Sequence, residues 1–519
     1  MSESKSILKS ASIISLVTLC SRLLGFIRDI VIAAFFGTGI ASEAFFVAFR
    51  IPNLMRDLVG EGAANSAFVP VFCQYWVKQE KKDFWVLIGN AFWMILLILA
   101  GISLFGVLFS RPIVSLIAPG FLKQPEKFLL TTQLTRIIFP YLLLIGLTAY
   151  SMGLLHTFKS FAAPAFSPCL LNICMIASIL VASRFMTNPV FGLAWGILLG
   201  GILQISIQIP SLFKHGFRPI FLKTNLIPPH PGIKKIGQLL IPRIFGTAAH
   251  QLNILIDTIL ASLSFIVGQG AVAAIYYANR IIQFPLAIFG IALSSAVLPT
   301  FSRQVVAQDI KSLKSTLAFS LRTIYFLMLP AAFGLIVLAQ PIIQVLFQRG
   351  HFDVYSVEIT AYALFFYAMG LVFFGGMKIL IAGFYSLQDT RTPAVIASLA
   401  LLVNLILNII LMFPLKVGGL ALASSLSAGF SFSLLYLNLT KRIGRIITKD
   451  LYSYFLKITI SGLAMVIFVL IFFYHLTVFL NPILRLFLTI TFAASVYLGI
   501  CLSLRVIKVG DLLKWIKPS

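Results

Sequence analysis

Phe45-Phe46-Val47-Ala48-Phe49-Arg50-Ile51, followed by Val69-Pro70-Val71-Phe72, returns later in the chain as Ile275-Tyr276-Tyr277-Ala278-Asn279-Arg280-Ile281 and Leu298-Pro299-Thr300-Phe301. The spacing is kept, since Arg280 follows Arg50 by 230 residues and Pro299 follows Pro70 by 229. Pro164 and Pro393 are also 229 apart. An apolar stretch carrying an arginine, repeated at a constant offset, points to a duplicated set of membrane segments.

The composition agrees. Of 519 residues 60% are hydrophobic and 11% charged, with a mean hydropathy of +1.01. That excludes a soluble enzyme, a disordered tail protein and a disulfide-rich secreted domain. Forty basic residues against fifteen acidic give a net charge of +25. In so apolar a chain this excess argues for anionic surroundings or an anionic cargo and against nucleic acid. Cys20, Cys73, Cys169, Cys174 and Cys501 all fall in apolar stretches without metal or redox spacing. There is no Walker loop and no His-Glu-x-x-His pattern. Arg22 and Arg28 interrupt the first apolar stretch, which therefore does not read as a cleaved signal peptide.

About 20 apolar residues cross a bilayer as a helix. Fourteen candidate spans follow, near 9–36, 43–75, 85–109, 132–156, 162–184, 189–212, 236–263, 271–300, 314–339, 357–386, 393–413, 418–440, 454–474 and 483–504. The repeat sets the expected architecture: an all-α polytopic membrane protein with two parallel six-helix lobes about a pseudo-twofold along the membrane normal. The N-lobe is 1–212, a basic cytoplasmic linker 213–235, the C-lobe 236–440, and 441–519 holds two extra helices and a tail. With the N-terminus inside, 23 loop Lys and Arg fall on the cytoplasmic side and 7 opposite, which places both termini in the cytoplasm. Lys123 and Lys127 count in the smaller set.

Ten basic residues remain inside spans: Arg22, Arg28, Arg50, Arg56, Arg136, Arg243, Arg280, Arg322, Lys378 and Lys457. Arg136, Arg243, Arg322 and Lys457 lie near span ends, where snorkelling explains them. Lys378 fits either reading, whereas Arg22, Arg28, Arg50, Arg56 and Arg280 are not explained in that way. Facing lipid, they would cost roughly 12–17 kcal/mol together, as much as a domain's whole stability. They are expected to line a water-filled cavity. Asp29 and Asp57 adjoin Arg28 and Arg56, but neighbours on a helix point about 100° apart and are expected to pair poorly. Excess guanidinium suits a phosphate-bearing cargo, because its planar fork of donors matches phosphate oxygens. Gly25, Pro52, Gly60 and Gly62 are expected to unwind the helices locally and free backbone N–H groups. Glu43 and Glu61, at or within the second span, are candidate gate residues that meet arginines in one state; for Glu43 simple solvation is an equal reading.

Two segments carry a resemblance: Ser21-Arg22-Leu23-Leu24-Gly25-Phe26-Ile27-Arg28-Asp29, and Ala44 through Pro52-Asn53-Leu54-Met55-Arg56 on to Glu61-Gly62-Ala63. With Phe68-Val69-Pro70, Tyr276-Tyr277-Ala278-Asn279-Arg280, Ala118-Pro119-Gly120-Phe121 and Gly383-Phe384-Tyr385-Ser386-Leu387-Gln388-Asp389, they resemble the MurJ/MviN family of lipid II flippases over essentially the whole chain. That family lies within the multidrug/oligosaccharidyl-lipid/polysaccharide exporter superfamily. The resemblance implies lipid II as cargo, carried from the cytoplasmic to the periplasmic leaflet of the bacterial inner membrane by alternating access. Arg22, Arg28, Arg56 and Arg280 match the family's cavity arginines, and Arg50 stands where others carry Lys. It also implies a groove for the prenyl tail on spans 13 and 14. Action as a monomer among membrane lipids is expected, with cell-wall synthesis proteins as candidate partners that the sequence does not identify. Glu43 stands where members commonly carry Asp, and Asn279 and Gln283 replace acidic residues found in some.

Other readings fare worse. A drug–cation exporter calls for acidic cavity residues, and a membrane glycosyltransferase for paired carboxylates that are not found here. The nearest alternative is a flippase for another polyprenyl-pyrophosphate-linked saccharide. No cofactor is expected. Asp257, with Asn404 and Asn408 four apart on one helix face and Ser424 and Ser425 nearby in sequence, forms a candidate sodium site. A carboxylate hydrogen-bonded to polar neighbours for packing is the commoner use of such a residue.

Overall fold

A computed structural model of the chain describes residues 3–57, 66–78, 81–218, 230–446, 449–477 and 479–506. All regular elements among them are helices. The chain divides into two compact units, Met1–Leu263 and Ser264–Ser519. Glu61, Gly60 and Gly62 lie outside the described residues, as does the side chain of Arg243.

The first unit contains α1 (Glu3–Phe36), α2 (Ile40–Met55), α3 (Val69–Lys78), α4 (Lys81–Leu108), α5 (Ser110–Ile117), α6 (Pro125–Ile138), α7 (Tyr141–Thr157), α8 (Ala162–Phe185), α9 (Val190–Ser206), α10 (Ile209–Lys214) and α11 (Pro231–Ala261). Small residues bring α8 and α9 together. A Cβ at Gly196 would lie 2.7 Å from that of Ser178, and one at Gly200 would lie 2.8 Å from Leu171 Cδ1. This is how apolar helices associate in lipid, where van der Waals contact replaces the hydrophobic drive. The loop Ala118–Phe121 meets the end of α11 closely: the Gly120 N–H donates to Ser262 Oγ at 3.2 Å, and a Cβ there would strike the Ser262 carbonyl. Helix α11, assigned to the second lobe by the repeat, thus packs with the first unit in contact terms, through α2, α3, α4 and α5.

The second unit contains α12 (Ser264–Val267), α13 (Ala271–Pro285), α14 (Ala292–Val306), α15 (Ile310–Val337), α16 (Ala339–Phe347), α17 (Val354–Met369), α18 (Leu371–Ser386), α19 (Arg391–Ile443), α20 (Lys449–Ile471) and α21 (Pro482–Ser503). The duplication is plain in the helix starts: 81, 110, 125 and 162 recur at 310, 339, 354 and 391, each 229 residues later. Both α2 and α13 also run into π-helical turns before the helix bearing Pro70 or Pro299.

Nine helices among the described residues are long and apolar enough to cross a membrane, ten when α17 and α18, bent by 44°, count as one span. Helix α19 is itself two, divided at Lys416 with φ 49° and ψ −130°, where Pro414 breaks the hydrogen-bond ladder. The break falls between the spans read from sequence as 393–413 and 418–440. The remaining expected crossings, 9–36, 43–75 and 236–263, carry charges or include segments that are not described.

Candidate functional site: the buried charges of the two units

In the first unit the arginines have specific surroundings. Arg28 is 6% exposed. Its Nη2 and Nε donate to Asp29 Oδ1 at 2.7 and 3.1 Å, and its Nη1 donates to Asn172 Oδ1 at 3.0 Å. Arg56 Nη2 donates to Asp57 Oδ1 at 3.2 Å. The expectation that sequence neighbours pair poorly is therefore corrected. An arginine stem is long enough to bring its guanidinium back around the helix to an adjacent carboxylate. Tyr141, fully buried on α7, lies within electrostatic reach of Arg56, Arg28 and Asp57, and its hydroxyl is 3.3 Å from Gln204 Oε1. Phe49 packs on its ring at 6.2 Å between centroids. Arg50 is half-buried and Arg22 exposed.

The local backbone departs from expectation at Gly25, which sits within continuous helix α1. Pro52 lies inside α2, and only after Met55 does the chain pass into a π-helical turn at 56–57.

Glu43 is 2% exposed and forms an ion pair with Lys127, also 2% exposed. The ammonium lies 4.2 Å from the Phe121 ring centroid. Solvation of Glu43 is thus overturned, and so is the placing of Lys127 in a loop. Pro125 opens α6 seven residues before the apolar run begins, which draws Lys127 into the helix and onto α2.

The second unit holds Arg280, half-buried on α13, with Gln283 Nε2 donating to Asn279 Oδ1 at 2.7 Å one turn away. Asn404 and Asn408 are fully buried, and the Asn408 amide donates to Asn404 Oδ1 at 2.8 Å. Asn404 Nδ2 reaches Ser424 Oγ at 3.4 Å, whereas Ser425 donates to the Phe366 carbonyl at 2.7 Å. Asp257, 9% exposed, belongs to the first unit and accepts from Asn253 at 3.3 Å. No cluster of three or more His, Cys, Asp or Glu suited to a metal occurs among the described residues. Among the span-end cations, Arg136 donates to Ser110 Oγ at 2.8 Å and Lys457 to the Leu504 carbonyl at 3.2 Å.

Outside the spans, the Gly383–Asp389 segment ends in a tight charged cap. The Thr392 hydroxyl and N–H donate to Asp389 at 2.5 and 2.9 Å, and Arg442 approaches at 2.6 Å. The hydrogen bonds from Thr392 hold the Asp389 carboxyl below the usual carboxylate range against an opposing effect of burial, and Arg442 lowers it a little further. Sequence reasoning missed Lys127, Tyr141, Asn172 and Gln204. A lone polar residue in an apolar run was the available signal for each of the last three.

Residues 32–492 match the profile of the family described as lipid II flippase MurJ. A probable lipid II flippase MurJ of Vibrio cholerae serotype O1 is 38% identical over 83% of each chain. A lipid II flippase MurJ of Burkholderia cenocepacia is 37% identical over 82% of each. A solved structure titled as that flippase in an inward closed conformation superposes with a TM-score of 0.79 at 26% identity, covering 96% of this chain and 99% of its own. An inward-facing multidrug MATE transporter of the MOP superfamily shares the fold, with a TM-score of 0.68 at 14% identity over 84% of this chain and 98% of its own. The chain is a multi-pass membrane protein and belongs to the lipid II flippase MurJ family.

Proposed function

We propose that this protein moves lipid II, undecaprenyl pyrophosphate bearing the peptidoglycan disaccharide-pentapeptide, from the cytoplasmic to the periplasmic leaflet of the inner membrane. It does so by alternating access, as a monomer with both termini cytoplasmic, with no chemical step of its own. The observation that carries the reading is the presence of Arg22, Arg28, Arg56 and Arg280 in helical segments of an apolar chain whose residues 32–492 match the flippase family. Arg28, held by Asp29 and Asn172, is pre-oriented, and guanidinium groups bind pyrophosphate oxygens in pairs. Transport of another polyprenyl-pyrophosphate-linked saccharide uses the same cations and is the alternative. A leaflet assay for lipid II in cells dependent on this chain separates the two. On depletion, lipid II accumulates on the inner leaflet if the proposal is right and distributes normally if the cargo is another lipid.

Glu43 and Glu61 act as gate partners in this scheme. Glu43 is held by Lys127, so meeting an arginine requires that pair to open. Normal transport by both Glu43→Gln and Glu61→Gln removes them from the gate. Sodium as the coupling cargo would use Asp257, Asn404 and Asn408. Asp257 belongs to the first unit and the two asparagines to the second, where the Asn404 oxygen already accepts from Asn408, so the carboxylate is the group to test. Asp257→Asn with wild-type activity and ion dependence rejects this coupling.

A further inference from the structure

The connection between α20 and α21 carries a cation that the flippase scheme does not use. Arg485, in the first turn of α21, lies with its guanidinium 3.9 Å from the Phe473 ring centroid. Its Nε donates to the Phe473 carbonyl at 2.9 Å, and Nη2 donates to the same oxygen. That carbonyl is available because the end of α20 widens into a π-helical turn, Phe472–Leu476. Two of the N–H groups thus serve as a helix cap. The rest, together with the full positive charge, remain, and among the described residues no carboxylate pairs with Arg485.

Beside it is a cavity of about 300 Å³ lined by Gln340, Pro341, Gln344, Val345, Phe473, Pro482 and Arg485. Gln340 and Gln344 are four apart on α16, so their amides share one face. Depth is fixed by the spans. The segment Tyr452–Ile471 ends just before Phe473, Pro482–Ser503 begins at the cavity wall, and Ile310–Val337 ends just before Gln340. Three span ends therefore meet at the boundary between hydrocarbon and water, where lipid head groups lie.

We infer that this cavity binds the phosphate of a membrane lipid, with Arg485 as the charged donor and Gln340 and Gln344 as amide donors. An uncompensated guanidinium with flanking amides at head-group depth matches a phosphate ester, and the cavity is of head-group size. Both bulk anionic phospholipid and a polyprenyl phosphate carry that group. The inference stands whether or not lipid II is the transported cargo.

The test is native mass spectrometry of the full-length protein in detergent, titrated in parallel with phosphatidylglycerol, undecaprenyl phosphate and diacylglycerol. At least one phosphate lipid is expected to be retained above diacylglycerol. Arg485→Gln is expected to lower that retention by about fivefold or more, the loss of one charge-assisted contact. Gln344→Leu removes an amide donor from the cavity wall but leaves the Arg485–Phe473 bonds in place, so a parallel loss there separates binding from helix capping. The lipid whose retention responds to both variants names the source. Equal retention of all three lipids by the wild type, or wild-type retention in both variants, overturns the inference.

Discussion

Helix α2 lies on α6 in the first unit as α13 lies on α17 in the second, and the two pairs are copies displaced by about 230 residues. The first interface is closed by the ion pair of Glu43 and Lys127 over Phe121. At the matching offset the second has Val272 and Ala273, buried and apolar, opposite Ser356. There the ring of Tyr277 packs on Phe347 and Phe352, with centroids 5.1 and 5.6 Å away. One backbone plan thus accepts either chemistry. A buried pair is seldom retained for stability alone, since apolar residues of similar size hold an interface at least as well. In the proposed scheme the charged version is the one that opens when another charge arrives.

The largest expected effect tests that contrast. Glu43→Gln leaves Lys127 charged and buried and is expected to lower stability by about 3–5 kcal/mol. Glu43→Val with Lys127→Ser, which imports the second unit's residues, is expected to recover most of that loss while transport fails. Thermal unfolding in detergent together with a complementation assay reads both. Equal destabilisation by the single and double variants breaks the comparison. Next comes a contrast within α1. Arg28→Ala strips Asp29, which is fully buried, of its charged donor and is expected to cost about 1.5–3 kcal/mol. Arg22→Ala, at an exposed position, is expected to change stability by less than about 0.5 kcal/mol. Both variants are expected to lose transport, so a stable but active Arg22→Ala would sharpen the site around Arg28 alone.

The helix starts bear on the same pair of interfaces. Asp353 caps α17 by accepting from the Ser356 N–H at 2.8 Å, while α6 begins at Gln124 with no side-chain cap. Asp353→Ala is expected to cost about 1 kcal/mol, the usual price of a lost N-cap. Gln124→Ala, measured alongside by thermal unfolding, is expected to cost less. Smallest is a pH effect at Asp389. Its folded-state value is depressed, so its contribution is present above the ordinary carboxylate range and is lost as pH falls through the lower folded value. The stability gap between wild type and Asp389→Asn is therefore expected to close on acidification.

The duplication was legible because it preserves spacing, and Arg28, Arg50 and Arg280 stood out because a cation in an apolar stretch is conspicuous on composition alone. Partners were less legible. Lys127 reads as a loop residue beside Glu126 and Lys123, and only the early helix start at Pro125 turns it inward. Asn172 stands out in sequence only as a lone amide in an apolar run, and its partner is hidden, since an amide 144 residues from Arg28 becomes its ligand only once α8 packs on α1. The pairing of Arg28 with Asp29 was misjudged because backbone direction was weighed and side-chain length was not.

The break at Lys416 bears on how the chain enters the membrane. Residues 391–443 form two apolar helices with no polar loop between them, and a Cβ at Gly419 would strike the Leu411 carbonyl, so the turn closes on itself. Two segments joined this tightly leave the insertion machinery as one hairpin, because the first offers no connecting length to lodge alone. Topology there is settled once for both helices. A few residues inserted at 415–416 would uncouple them, and the second segment would then have to insert on the strength of its own hydrophobicity and flanking charge.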